Sequence, residues 1–141
     1  MATSYSEIYR WAGKKLEDPS YASMSDEDLS EMFFEWMLSA IAQFRKCEHD
    51  LSQRDDELGA FDDDLLDVEK EILGTLTAKA WLEPQLNSAL LTRQVFSEKE
   101  QKFYSQKEHL TGLENRYESL TREAQRLHRD YTYAHSSYWE D

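Results

Sequence analysis

Glycine and proline are scarce in this chain, with four and two among 141 residues. An all-β protein needs many tight turns, which those residues supply, so their scarcity excludes that class and makes helix the expectation. Cysteine is scarcer still. Cys47 stands alone, which rules out an intramolecular disulfide and suits a reducing, intracellular compartment. No apolar run approaches the ~20 residues of a membrane span. The first residues carry no basic stretch followed by an apolar one, so a soluble chain without a targeting signal is expected.

Basic residues are also in deficit, 16 against 29 acids, for a net charge of −13. The deficit is local. Met1 to Glu71 holds 19 acids and 7 bases, whereas Ile72 to Asp141 holds 10 and 9. A front half of that sign repels phosphate and is not expected to bind nucleic acid directly. A solvated acidic face that maintains solubility is the plainer reading.

Apolar and aromatic residues are well represented. The chain is 40% hydrophobic, with four Trp, eight Tyr and six Phe, enough for one sizeable core and too many for a disordered tail. The expected fold is all-α, a single domain of four or five helices. Its segments are an N-terminal helix and linker (1–24), core helices with an acidic loop (25–104), a long helix (105–131) and an aromatic tail (132–141).

Ser4 and Glu7 form an S-x-x-E capping pattern, and Ile8, Trp11, Ala12 and Leu16 follow at helical spacing, which predicts a helix over Ser4–Leu16. Glu17 to Met24, with Pro19, reads as a connection. Ser25 caps the next helix, whose first turn holds Asp26, Glu27 and Asp28. Leu29, Met32, Phe33, Trp36, Met37, Ala40, Ile41 and Phe44 share one face, Phe34 and Leu38 widen it, and Arg45 and Lys46 fall in the expected last turn. This helix is expected to be buried on two sides and to form the centre of the core.

Glu48 to Asp64 reads as a long polar loop pinned by Phe61. A further helix is predicted from Asp64 or Asp67 to about Leu82, ended by Pro84. Gly74 inside it costs about 1 kcal/mol relative to Ala, which is tolerable where a neighbouring helix crosses closely. Leu86, Leu90 and Leu91 suggest a short helix, with Phe96, Phe103 and Tyr104 as apolar anchors.

Ser105 and Glu108 repeat the capping pattern before a heptad seam of Leu110, Leu113, Tyr117, Leu120, Ala124, Leu127 and Tyr131. So narrow a seam suits one partner helix. An antiparallel hairpin within the chain is expected ahead of pairing with a second chain, since three heptads with Tyr and Ala in the seam make a weak isolated dimer. Tyr133, Tyr138 and Trp139 follow, either as a docking surface or folded back on the core.

No chemistry stands out from the sequence. The acids Asp62, Asp63, Asp64, Asp67 and Glu69 lack the glycine and terminal glutamate of a calcium loop. His49, His109, His128 and His135 form no H-x-x-x-H or E-x-x-H motif. Cys47 has no evident base partner. No catalytic activity, metal or cofactor is expected.

From Leu66 to Tyr133 the chain resembles a family of small virion structural proteins of tailed bacteriophages of Gram-positive hosts, the adaptor-like neck or head–tail connector proteins. The resemblance is carried by Glu69 to Leu73, Trp81 to Pro84, Phe103 to Gln106, Leu110, Leu113 and Asp130 to Tyr133, in that order and spacing. The stretch Phe33 to Cys47 extends it. The N-terminal helix, the acidic loop and Ser136 to Asp141 lie outside it.

The resemblance implies a homo-oligomeric ring subunit of the virion that joins portal to tail or neck proteins, assembles in the host cytoplasm, contacts no membrane and lets DNA pass without binding it. Leu110, Leu113, Tyr117, Leu120, Leu127, Tyr131, Tyr133, Tyr138 and Trp139 are the candidate partner-binding residues. An intracellular helical adaptor, binding one partner through the last helix, is the alternative.

Overall fold

The computed structural model describes residues 2–16, 23–45, 47–95 and 100–134, with the side chains of all but 89–95 and 100–110. The elements run β1 (Thr3–Ser4), α1 (Tyr5–Lys15), α2 (Asp26–Gln43), β2 (Arg54–Asp55), β3 (Ala60–Phe61), α3 (Asp67–Val95) and α4 (Glu100–Ala134). The result is a mostly helical bundle, as expected, with a very small sheet added to it.

The first helix begins at its predicted cap, but by a simpler device. Ser4 Oγ accepts from the Ser6 amide at 3.3 Å, while the Glu7 carboxylate reaches across to Lys70 of α3 at 3.2 Å. The reciprocal capping box therefore does not form. Ser25 caps α2 through the Asp28 amide at 3.2 Å, ahead of three acids whose charge the helix dipole favours. α2 ends at Gln43 with Phe44 as its cap, so Arg45 falls beyond the helix, and Lys46 lies outside the described residues.

α3 is the centre of the bundle, not α2. It packs against α1, α2 and α4, and Ile72, Leu73, Thr75, Leu76, Thr77 and Ala78 are all buried. Thr75 and Thr77 tolerate burial because their hydroxyls donate to the carbonyls of Glu71 and Leu73, at 2.8 and 2.7 Å. α2 buries one face, through Leu29, Phe33, Met37 and Ala40; Phe34 and Leu38 are only half-buried.

The expected stop at Pro84 does not occur. The helix passes through it to Val95, so the segment expected as a separate short helix belongs to α3. Proline forfeits one bond, to the carbonyl of Ala80. Pro84 lies on the exposed surface, where its ring displaces no packed neighbour, and packing of α3 along α4 outweighs the local cost. α4 likewise begins before its predicted cap, with Ser105 already inside the helix, and continues through Tyr133 to Ala134. Phe96 lies outside the described residues, as do the side chains of Leu90, Leu91, Phe103 and Tyr104.

The long polar loop contains the hairpin β2–β3, and β3 pairs on its other side with β1, all antiparallel. Asp55 makes the turn. Its side chain accepts from the amides of Glu57 and Leu58, and its carbonyl accepts from the Gly59 amide at 2.8 Å. Gly59 sits at φ 69°, where a side chain would be strained. Phe61 is buried, with its ring 4.9 Å from that of Tyr5, so the loop is pinned where expected.

Two contacts set how α1 lies on the bundle. Gly74 faces Trp11 so closely that a Cβ added there would stand 2.3 Å from Trp11 Cβ and 3.1 Å from the Ala12 nitrogen. Lys15, nearly buried, bridges α3 and α4 by pairing with Glu71 at 2.8 Å and with Glu123. Burial disfavours its charge, but the two carboxylates outweigh this and raise its pKa.

Gly74 and Gly112 should respond oppositely to alanine. Gly74→Ala forces α1 away from α3 and should destabilise the fold by about 3 kcal/mol, the upper end for overpacking. Gly112 meets nothing within 4 Å, so Gly112→Ala should stabilise by about 0.5–1 kcal/mol through helix propensity. Urea denaturation of the two variants checks both signs.

Candidate functional site

The acidic run contains one carboxylate unlike the rest. Glu69 occupies the first turn of α3 and is fully buried, at 0% exposure. Its Oε1 accepts from the Leu66 amide at 2.6 Å, one half of a capping box. His49 Nδ1 lies 2.8 and 2.9 Å from its two oxygens. The Tyr131 hydroxyl donates to Oε2 at 2.8 Å, and the Cys47 thiol donates to the same oxygen at 3.2 Å. The Tyr131 oxygen in turn accepts from the Glu48 amide at 2.8 Å.

Four donors thus converge from three parts of the chain: the connection after α2, the start of α3 and the end of α4. The Tyr131 ring is held edge-on by Phe44, with centroids 5.3 Å apart. An open hollow of about 270 Å³ adjoins the cluster, bordered by Phe44, Arg45, Cys47, His49 and Asp50.

The electrostatics follow from the geometry. Burial alone would raise the Glu69 pKa, but the Leu66 amide, His49, Tyr131 and Cys47 together hold it below 4.5. The carboxylate raises the His49 pKa above 6.5, against a smaller opposing effect of burial. Burial, reinforced by the neighbouring carboxylate, pushes the Cys47 thiol up to about 12. A thiol held so firmly protonated is a poor nucleophile. One donor atom from each of Cys47, His49 and Glu69 lies within 4.8 Å of the others, a spacing that suits a metal able to displace the thiol proton.

Of the candidate partner-binding residues, Leu120, Leu127 and Tyr131 are buried in the chain's own core, and Leu113 and Tyr117 pack against it half-buried. The seam therefore closes within the chain, mainly on α3. At its C-terminal end it also meets Phe44, which packs against His128 and Tyr131. Tyr133 is 62% exposed. The side chain of Leu110, and Tyr138 and Trp139 altogether, lie outside the described residues.

The Cys47–His49–Glu69–Tyr131 cluster was not visible in the sequence as a site. Its available signal was the C-x-H spacing of Cys47 and His49. Glu69, twenty residues further on, reads as one acid among many, and Cys47 does have a partner after all. No helix among the described residues is long and apolar enough to cross a membrane. No protein-family model, curated protein or solved structure matches this chain.

The Glu69–His49 pair carries a defined pH signature. The lowered Glu69 pKa contributes stability that is full above 4.5 and is lost as pH falls through the folded value. The raised His49 pKa contributes stability that is full below 6.5 and is lost as pH rises through its folded value. Both contributions are complete between pH 4.5 and 6.5. In buffer containing a chelator, His49→Gln should cost about 1.5–3 kcal/mol in that window, and less on either side. A cost measured by urea denaturation that does not vary with pH would contradict this.

Proposed function

We propose that this chain is a structural subunit of a tailed-phage virion, a head–tail connector or neck protein that forms a ring of identical copies between portal and tail. The sequence resemblance gives the class, and the helical hairpin of α3 and α4 is the observation that carries the reading. The described buried positions of α3 end at Leu82, yet the helix continues over residues 83–95, about 20 Å at 1.5 Å per residue. α4 begins at Glu100 and reaches its first described buried position only at Leu120. Among the described side chains, residues 83–88 of α3 are mostly exposed and residues 111–119 of α4 are at most half-buried, so both helices run on past their buried stretches.

A bare pair of helices buries only one stripe of each and is marginal in water. Contact with neighbouring copies would supply the missing packing, as a ring of identical subunits requires. The acids fit the same role. Asp26, Glu27, Asp28, Asp62, Asp63 and Asp64 are all exposed, and a channel lined by them would let DNA slide without the counterion-releasing contacts that immobilise it.

Mixing the purified chain with assembled portal protein, followed by native mass measurement and electron microscopy, tests the proposal. The expected result is a closed layer of copies whose symmetry follows the portal, with the acidic surface toward the channel. No association with portal, or a one-to-one complex with a host protein instead, would overturn it. An intact ring carrying Asp26–Asp28 and Asp62–Asp64 on its outer rim would overturn the channel assignment alone.

A further inference from the structure

We propose that Cys47, His49 and Glu69 bind a divalent transition metal of the zinc class. This goes beyond the assembly role and does not depend on it.

The donor set is the first reason. One thiol sulfur, one imidazole nitrogen and one carboxylate oxygen form a mixture that suits zinc, whereas calcium and magnesium take oxygen ligands alone. Spacing is the second. Sulfur and Glu69 Oε2 stand 3.2 Å apart, and His49 Nδ1 and the same oxygen 2.9 Å. Around a tetrahedral zinc with bonds of about 2.0–2.3 Å, adjacent ligand atoms lie about 3.3–3.6 Å apart. Each of those two separations widens by only about half an ångström or less between the arrangements, and all three ligand atoms already lie within 4.8 Å of one another. Cys47 and His49 can supply the shift, because both lie in the irregular connection after α2 and neither is fully buried.

The surroundings of the carboxylate are the third reason. With a metal replacing the thiol and imidazole protons, Glu69 keeps the Leu66 amide on Oε1 and the Tyr131 hydroxyl on Oε2. Supporting donors of this kind orient a metal-bound carboxylate. Access comes from the His49 side, where the side chain is 29% exposed and the hollow opens. The hollow leaves room for water in the fourth position. Protons balance: the Cys47 thiol gives its proton to solvent, the His49 Nδ1 proton goes to solvent from the imidazolium or to Nε2 in the neutral ring, and Glu69 enters already ionised.

The test is calorimetric titration of the full chain with Zn²⁺ in a non-chelating, thiol-free buffer, repeated with Co²⁺ and read by absorption. The expected result is one metal per chain with a micromolar or tighter Kd, and a sulfur-to-cobalt charge-transfer band. Cys47→Ser should abolish the band, and both it and His49→Gln should weaken binding by more than tenfold. Tyr131→Phe, which removes the donor to Glu69 and the acceptor of the Glu48 amide but no metal ligand, should weaken binding about tenfold. Circular dichroism confirms that each variant folds. Replacing Asp62, Asp63 and Asp64 together by Asn should change the affinity by no more than about threefold, since Asp63 acts on His49 through its charge alone. A Kd weaker than about 100 µM, or binding that survives Cys47→Ser and His49→Gln but is lost in the triple Asn variant, would overturn the proposal and leave the cluster a hydrogen-bonded clasp.

Discussion

The Glu69 carboxylate is charged, has no contact with solvent, and stands where three separate stretches of chain meet. Removing a carboxylate from water is expensive, several kcal/mol even after relaxation, and the expense is met only if every donor arrives together. The Leu66 amide comes from the helix start itself, Tyr131 from the far end of α4, and Cys47 and His49 from the connection after α2. Omit one and the others face a less satisfied charge. That interdependence is a source of uniqueness more than of stability, because an apolar group of the same shape would cost less to bury. It gives a polar loop with few apolar side chains a single path across the bundle.

A second constraint acts from the opposite direction, by exclusion of volume. Gly74 lets α1 lie almost in backbone contact with α3 at Trp11, and Lys15 then reaches both Glu71 and Glu123. The two constraints lie within two turns of each other on α3. Between them they fix α1, α4 and the loop against the same short stretch of helix. Past Leu82, α3 continues to Val95 with its described side chains over residues 83–88 mostly exposed, so a tightly determined body gives way to a helical arm.

How much of this the sequence disclosed depended on the range of the interaction. The Ser25 cap, the apolar face of α2, the pin at Phe61 and the close crossing at Gly74 were all legible, because each is written in a residue type at a local spacing. Pro84 misled because its cost is local and is outweighed by helix packing that no short window shows. The sheet was invisible because strands of two residues cannot display an alternation. Arg45 was placed in a last turn that Phe44 ends earlier. Glu69 was hidden by company: five acids in eight residues look alike until the fold buries one of them. Cys47 and His49, two apart, gave the only hint, and without the third ligand a C-x-H pair specifies nothing.

The division into body and arm also separates the two proposals physically. Tyr131 lies at one end of α4 and Glu100 at the other, about 45 Å apart along the helix axis. The cluster thus lies at the base of the body, far from the start of α4, and substitutions in the irregular connection at Cys47 or His49 leave the arm's sequence untouched. A metal bound at the base would act on assembly only by fixing the end of α4 and, with it, Tyr133, whose side chain is exposed one residue from the helix end. Portal binding that responds to metal would therefore place the contact surface at the base. Portal binding indifferent to metal would place it on the arm or the acidic face.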